Sequence, residues 1–153
     1  MLRHKTLTLE EAQNVVNGVV QFAKERNHRG VAVVVVDKQG GIIAAAKMTG
    51  LAPRVFGAAH RKAYSAAIFE RDTSLVVDMH AANEAQGQRG PHDWNDRMLS
   101  TLPGGYCVLH DGDVVGAVAV AGGGEGISDW EFADVAFSLL GEGFTHRGKE
   151  EHR

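Results

Sequence analysis

The chain has 153 residues, 44% of them hydrophobic and 23% charged, with a formal net charge of -3, enough to bury one core and short for two, so a single domain over 1–153 is expected. Lys and Arg are scattered rather than clustered, which argues against a nucleic-acid partner, and the lone Cys107 excludes an intrachain disulfide and a multi-cysteine zinc site. No apolar stretch approaches the ~20 residues of a membrane span and the first residues lack a signal-peptide core, so no membrane partner and a cytoplasmic location are expected.

Thr8 and Glu11 have the spacing of a capping box, and Ala12, Val15, Val16, Val19, Phe22 and Ala23 then recur on one helical face, predicting a helix over 8–27. Val31–Val36 is a β-branched run without alternation. With the turn Asp37-Lys38-Gln39-Gly40-Gly41 and the apolar stretch Ile42–Met48 it predicts a hairpin whose first strand is covered on both faces. Pro53 opens a second helix, over 53–70, whose apolar face is lined with Ala58, Ala59, Ala63 and Ala66. A short helix over 73–82 follows, capped by Asp72 or Thr73. Residues 83–105 then read as a long polar loop around Trp94, a length that is uncommon unless functional or mobile.

Tyr106–His110 and Val114–Val120 flank Asp111-Gly112, the strongest hairpin signal in the chain. Ser128, with Glu131 three residues on, opens the last helix, and residues 142–153 read as a frayed tail. The order is helix, hairpin, helices, long loop, hairpin, helix. Two hairpins cannot build a parallel sheet, so the expected class is α/β of the α+β kind, an antiparallel sheet with helices packed on it.

Several segments together resemble the GlcG/HbpS-type haem-binding family, to which the C-terminal domain of some cobalamin adenosyltransferases is also similar. They are Leu7-Thr8-Leu9-Glu10-Glu11-Ala12, Val36-Asp37-Lys38-Gln39-Gly40-Gly41, Lys62-Ala63-Tyr64-Ser65-Ala66-Ala67-Ile68-Phe69, Leu102-Pro103-Gly104-Gly105, Asp111-Gly112-Asp113-Val114-Val115-Gly116-Ala117 and Gly122-Gly123. The resemblance implies a profilin-like fold around a five-stranded antiparallel sheet, self-association into a homo-oligomer, and a ligand pocket near the helix that bears Lys62. It makes haem a candidate cofactor. The chain departs from the family pattern at Lys47, Thr49, Cys107 and Ala121, all close to predicted strand ends.

Lys62, set among Ala59, Ala63 and Ala66, is expected to be desolvated and thereby able to act as a base or to hold a carboxylate. His60 lies beside it in sequence and Arg54 two turns earlier; with Asp93 from the long loop, Lys62 and His60 form a candidate acid/base set. Pro91-His92-Asp93-Trp94 brings an imidazole, a carboxylate and an aromatic ring onto that loop, so His92 and Trp94 are candidate ligand contacts, and His60, His92 and Lys62 the candidate haem ligands. Gly122, Gly123 and Gly124 lie between a strand and a helix, where backbone amides can hold an anion. The segment fails the dinucleotide fingerprint, because the third required glycine falls on Ile127. Cys107 reads as a small buried hydrophobe.

Two functions are compatible with these features. One is a small-ligand-binding protein, taking haem or a small carboxylated metabolite. The other is a cofactor-independent isomerase, tautomerase, lyase or hydrolase of a small organic acid, with Lys62 and His60 as acid/base groups and no metal.

Overall fold

The computed structural model describes residues 5–149 apart from Glu125. Helix α1 spans Leu9–Glu25, strands β1 and β2 span Ala32–Val36 and Ile42–Lys47, and helices α2 and α3 span Pro53–Ile68 and Thr73–Ala85. After a 3₁₀ turn at Gly90–His92 come β3 (Gly105–His110), β4 (Asp113–Ala121), α4 (Asp129–Ser138) and β5 (Phe144–His146). All five strands join one antiparallel sheet in the order β2-β1-β4-β3-β5. The α+β class expected from the two hairpins is the one observed.

Local chemistry sets several of these boundaries. The Glu11 amide donates to Thr8 Oγ1 at 3.1 Å while the Thr8 amide donates to Glu11 Oε1 at 2.8 Å, a reciprocal cap that satisfies two otherwise orphaned N–H groups. At α4 the Glu131 amide donates to Ser128 Oγ at 3.2 Å. Asp111 and Gly112 take φ of 50° and 81°, the left-handed pair that a tight β3–β4 hairpin needs to match strand twist.

The unalternating valine run becomes β1 because both of its faces are covered. Val33 and Val35 pack with Val15, Val19 and Phe132 under α1 and α4. Ala32, Val34 and Val36 face the opposite layer, where Ala59, Ala63, Ala66 and Ala67 of α2 meet Ala117, Ala119 and Ala121 of β4. With alanine on both sides, α2 lies close to the sheet, and a side chain projecting from its middle reaches the strand ends.

Two boundaries differ from expectation. The long loop is shorter, since α3 continues to Ala85, and it is pinned to α2: Tyr64 Oη donates to Asp96 Oδ2 at 2.7 Å and the Ser100 amide to Ser65 Oγ at 2.7 Å. The segment read as a frayed tail contains β5, which pairs with β3 through Val108–His146, Leu109–Thr145 and His110–Phe144. Three residues are too few to show a period, so pairing alone reveals this strand. Residues 150–153 of the expected tail lie outside the described residues.

Candidate functional site

Lys62 lies midway along α2 and is 3% exposed. Its Nζ donates to the Val120 carbonyl at 2.9 Å and to Asp129 Oδ2 at 2.7 Å. Asp129 is the first residue of α4, placed there by the Ser128 cap, and its Oδ1 accepts the Gly123 amide at 2.6 Å. Burial lowers the Lys62 pKa below the ordinary lysine value, and the Asp129 carboxylate opposes part of that shift. An ammonium carries three donors, so one Lys62 N–H has no partner among the described residues.

Glycines make this approach possible. A Cβ on Gly104, whose φ is +115°, would lie 3.0 Å from Lys62 Nζ and 3.1 Å from Asp129 Cβ. One on Gly123 would lie 2.5 Å from Asp129 Oδ1. Above the pair is a cleft of about 280 Å³ lined by Arg29, Arg54, Val55, Ala58, Lys62, Leu102, Pro103, Ala121, Gly122, Gly123 and Asp129. Arg29 and Arg54 are exposed, and Leu102 is 46% exposed beside Pro103. The lining thus combines apolar walls with the cationic side chains of Arg29, Arg54 and Lys62 and the carboxylate of Asp129.

Of the residues singled out in the sequence, Lys62, Arg54, Gly122 and Gly123 meet in this cleft. His60 does not: two residues along a helix turn the side chain roughly 200°, so His60 and Lys62 leave α2 in opposed directions. Asp93 is exposed and bound to Arg89, which donates from Nε at 2.9 Å and from its backbone amide at 3.0 Å. His92 is exposed on the 3₁₀ turn. Trp94 packs edge-on against Phe69 and His80, with ring centroids 5.3 and 5.9 Å away, and does not line the cleft. The amides of Gly123 and Gly124 are already used, by Asp129 and by the Ile127 carbonyl at 2.7 Å, so these glycines serve close approach rather than amide donation.

Sequence reasoning did not single out Arg29, Leu102, Pro103 or Ala121 as site residues, nor Asp129 as the partner of Lys62. Ser128 was the usable signal, because a cap places the next side chain at a helix mouth.

A second buried contact between ionisable side chains lies beside the β3–β5 edge of the sheet. The Asp72 side chain is fully buried; His146 Nδ1 donates to Oδ2 at 2.6 Å and the Cys107 amide to Oδ1 at 2.9 Å. The Asp72 amide donates to the Arg147 carbonyl at 2.8 Å. Burial raises the Asp72 pKa and these donors oppose the rise. Cys107 is buried as expected; burial, with the Asp72 charge nearby, pushes its thiol up to about 12.

The fold and cleft define an α+β protein with one antiparallel sheet, helices on both faces, and a cation-lined cleft at the strand ends. The chain belongs to the HbpS-like family, described as "Haem degrading protein HbpS-like", whose profile matches residues 7–137. It is 26% identical to protein GlcG of Escherichia coli K12 over 120 residues, 78% of this chain and 85% of that protein. The crystal structure of HbpS superposes with a TM-score of 0.77 at 27% identity, covering 93% of this chain and 95% of HbpS. A complex of PduOC with haem shares the fold, with a TM-score of 0.78 at 20% identity over 94% of this chain and 99% of PduOC.

Proposed function

We propose that the chain is a small-ligand-binding protein whose site is the cleft above Lys62 and Asp129, and that its ligand is anionic. The observation that carries this reading is the convergence of Arg54 and the spare Lys62 N–H on one apolar-walled cleft. Arginine forks match carboxylates, and a partly desolvated setting strengthens the match.

The family description makes haem the reference ligand. One of its propionates matches Arg54, and its ring edge matches Leu102, Pro103 and Val55. Its iron finds no histidine, cysteine, methionine or tyrosine in the described lining, and Lys62 is engaged by the Val120 carbonyl and Asp129. The residues present fit the carboxylates of haem and do not fit its metal. An acid/base enzyme built on Lys62, His60 and Asp93 is not favoured, because the three side chains do not converge.

Self-association and a cytoplasmic location belong to the same reading; no helix among the described residues is long and apolar enough to cross a membrane. Calorimetric titration with haemin and with small carboxylates tests the site. Saturable binding that weakens at least tenfold in Arg54→Ala supports it; binding indifferent to both Arg54→Ala and Lys62→Met refutes it.

A further inference from the structure

We infer that this cleft selects a compact carboxylate with an apolar body and supplies no ligand to a metal, so that affinity is independent of any metal the ligand carries. The inference rests on the cleft being the binding site and adds the class of ligand it takes.

Size is the first argument. At about 280 Å³ the cleft lies just below the low end of the range for drug-sized ligands. Arg54 and Lys62 are eight residues apart on α2, roughly 12 Å along the helix axis, so a ligand touching both ends of the groove is short. Charge is the second. The ion pair with Asp129 neutralises most of the Lys62 charge, leaving Arg54 as the main anchor at the mouth and a single Lys62 N–H as a polar contact in the floor. Between them Val55 and Ala58 on α2 face Leu102 and Pro103, which asks for an apolar body between the polar ends.

Metal chemistry is the third argument. The imidazoles nearest in sequence to the lining are committed elsewhere. His28 Nδ1 accepts the Gly30 amide at 3.1 Å and its Nε2 donates to the Gly124 carbonyl at 3.3 Å, so both ring nitrogens are occupied. His60 leaves α2 away from the cleft. Lys62 is held by Val120 and Asp129, and no cluster of three metal-ligating His, Cys, Asp or Glu side chains exists among the described residues.

The test is an amide-resolved NMR titration of the full chain, following Arg54, Gly122 and Gly123, with four probes: benzoate, benzamide, protoporphyrin IX and haemin. The expected result is saturable binding of benzoate, at least tenfold weaker binding of benzamide, and a similar loss of benzoate affinity in Arg54→Ala. Haemin and protoporphyrin IX are expected to differ by less than threefold, with no change in the haemin Soret band that signals a protein ligand on iron. Haemin binding more than tenfold tighter than protoporphyrin IX, through a site sensitive to Arg54→Ala, overturns the inference and leaves the cleft reading standing. Failure of all four probes to shift the cleft amides overturns both. Arg54 is exposed, so its replacement does not threaten folding.

Discussion

Lys62–Asp129 and Asp72–His146 each join a buried ionisable side chain to a partner from a distant segment, yet one opens on a cleft and the other is closed. Asp129 is 30% exposed and Lys62 has an N–H to spare, whereas Asp72 is fully buried and its carboxylate accepts from His146 and Cys107. Glycine at 104 and 123 leaves room over the first pair. At the second, a Cβ on Gly148 would come within 2.3 Å of Asp72 Oδ2, so the chain itself seals the site. A buried charge satisfied on every side fixes structure; one satisfied on all sides but one can also receive a ligand.

The sharpest way to break this contrast is Asp72→Ala. It leaves the Cys107 amide and the His146 ring without their acceptor, and a loss of about 3 kcal/mol is expected in urea denaturation, with β5 amides exchanging first. Asp72→Asn keeps an acceptor for Cys107, and should cost under about 1 kcal/mol. Lys62→Met comes next, at about 1–2 kcal/mol, below the usual cost of breaking a buried pair because Asp129 reaches water; its larger effect is on ligand affinity. Ser128→Ala should cost about 1 kcal/mol and weaken binding, since the cap positions Asp129. Smallest in stability is Arg54→Ala, within about 0.5 kcal/mol of the parent although binding weakens at least tenfold, separating site from scaffold.

pH divides the two pairs by sign. Asp72 has a raised folded pKa, so between 3.8 and that value the native state holds more protons than the unfolded chain, and stability falls as pH rises. Lys62 has a lowered folded pKa, so between that value and 10.5 the unfolded chain holds more protons, and stability rises with pH. Subtracting the Asp72→Asn curve from the parent isolates the acid slope; subtracting Lys62→Met isolates the alkaline one. Absence of either slope shows that the residue titrates alike in the folded and unfolded chain.

Capped helices and the hairpin turn were legible because each depends on atoms a few residues apart: Thr8 with Glu11, Ser128 with Glu131, Asp111 with Gly112. The burial of Lys62 was legible too, since its helical neighbours Ala59, Ala63 and Ala66 give water no purchase. Adjacency in sequence misled where geometry separates neighbours. His60 turns away from Lys62, and Asp93 is held by Arg89 rather than offered to a ligand. Strand β5 escaped notice because three residues carry no period and the clasp on Asp72 comes from a segment 74 residues away.

Sequence alone determined the helices, the hairpins, the α+β class and the family, since these follow from local hydrogen bonding, hydrophobic period and a string of short motifs. Tertiary structure decided the rest: that Lys62 faces Asp129, that Arg29, Leu102 and Pro103 frame the same cleft, and that no histidine, cysteine, methionine or tyrosine lines it among the described residues. The physical reason is range. Caps and turns are settled within a few bonds, but a cleft is where side chains from distant segments come to share one desolvated space.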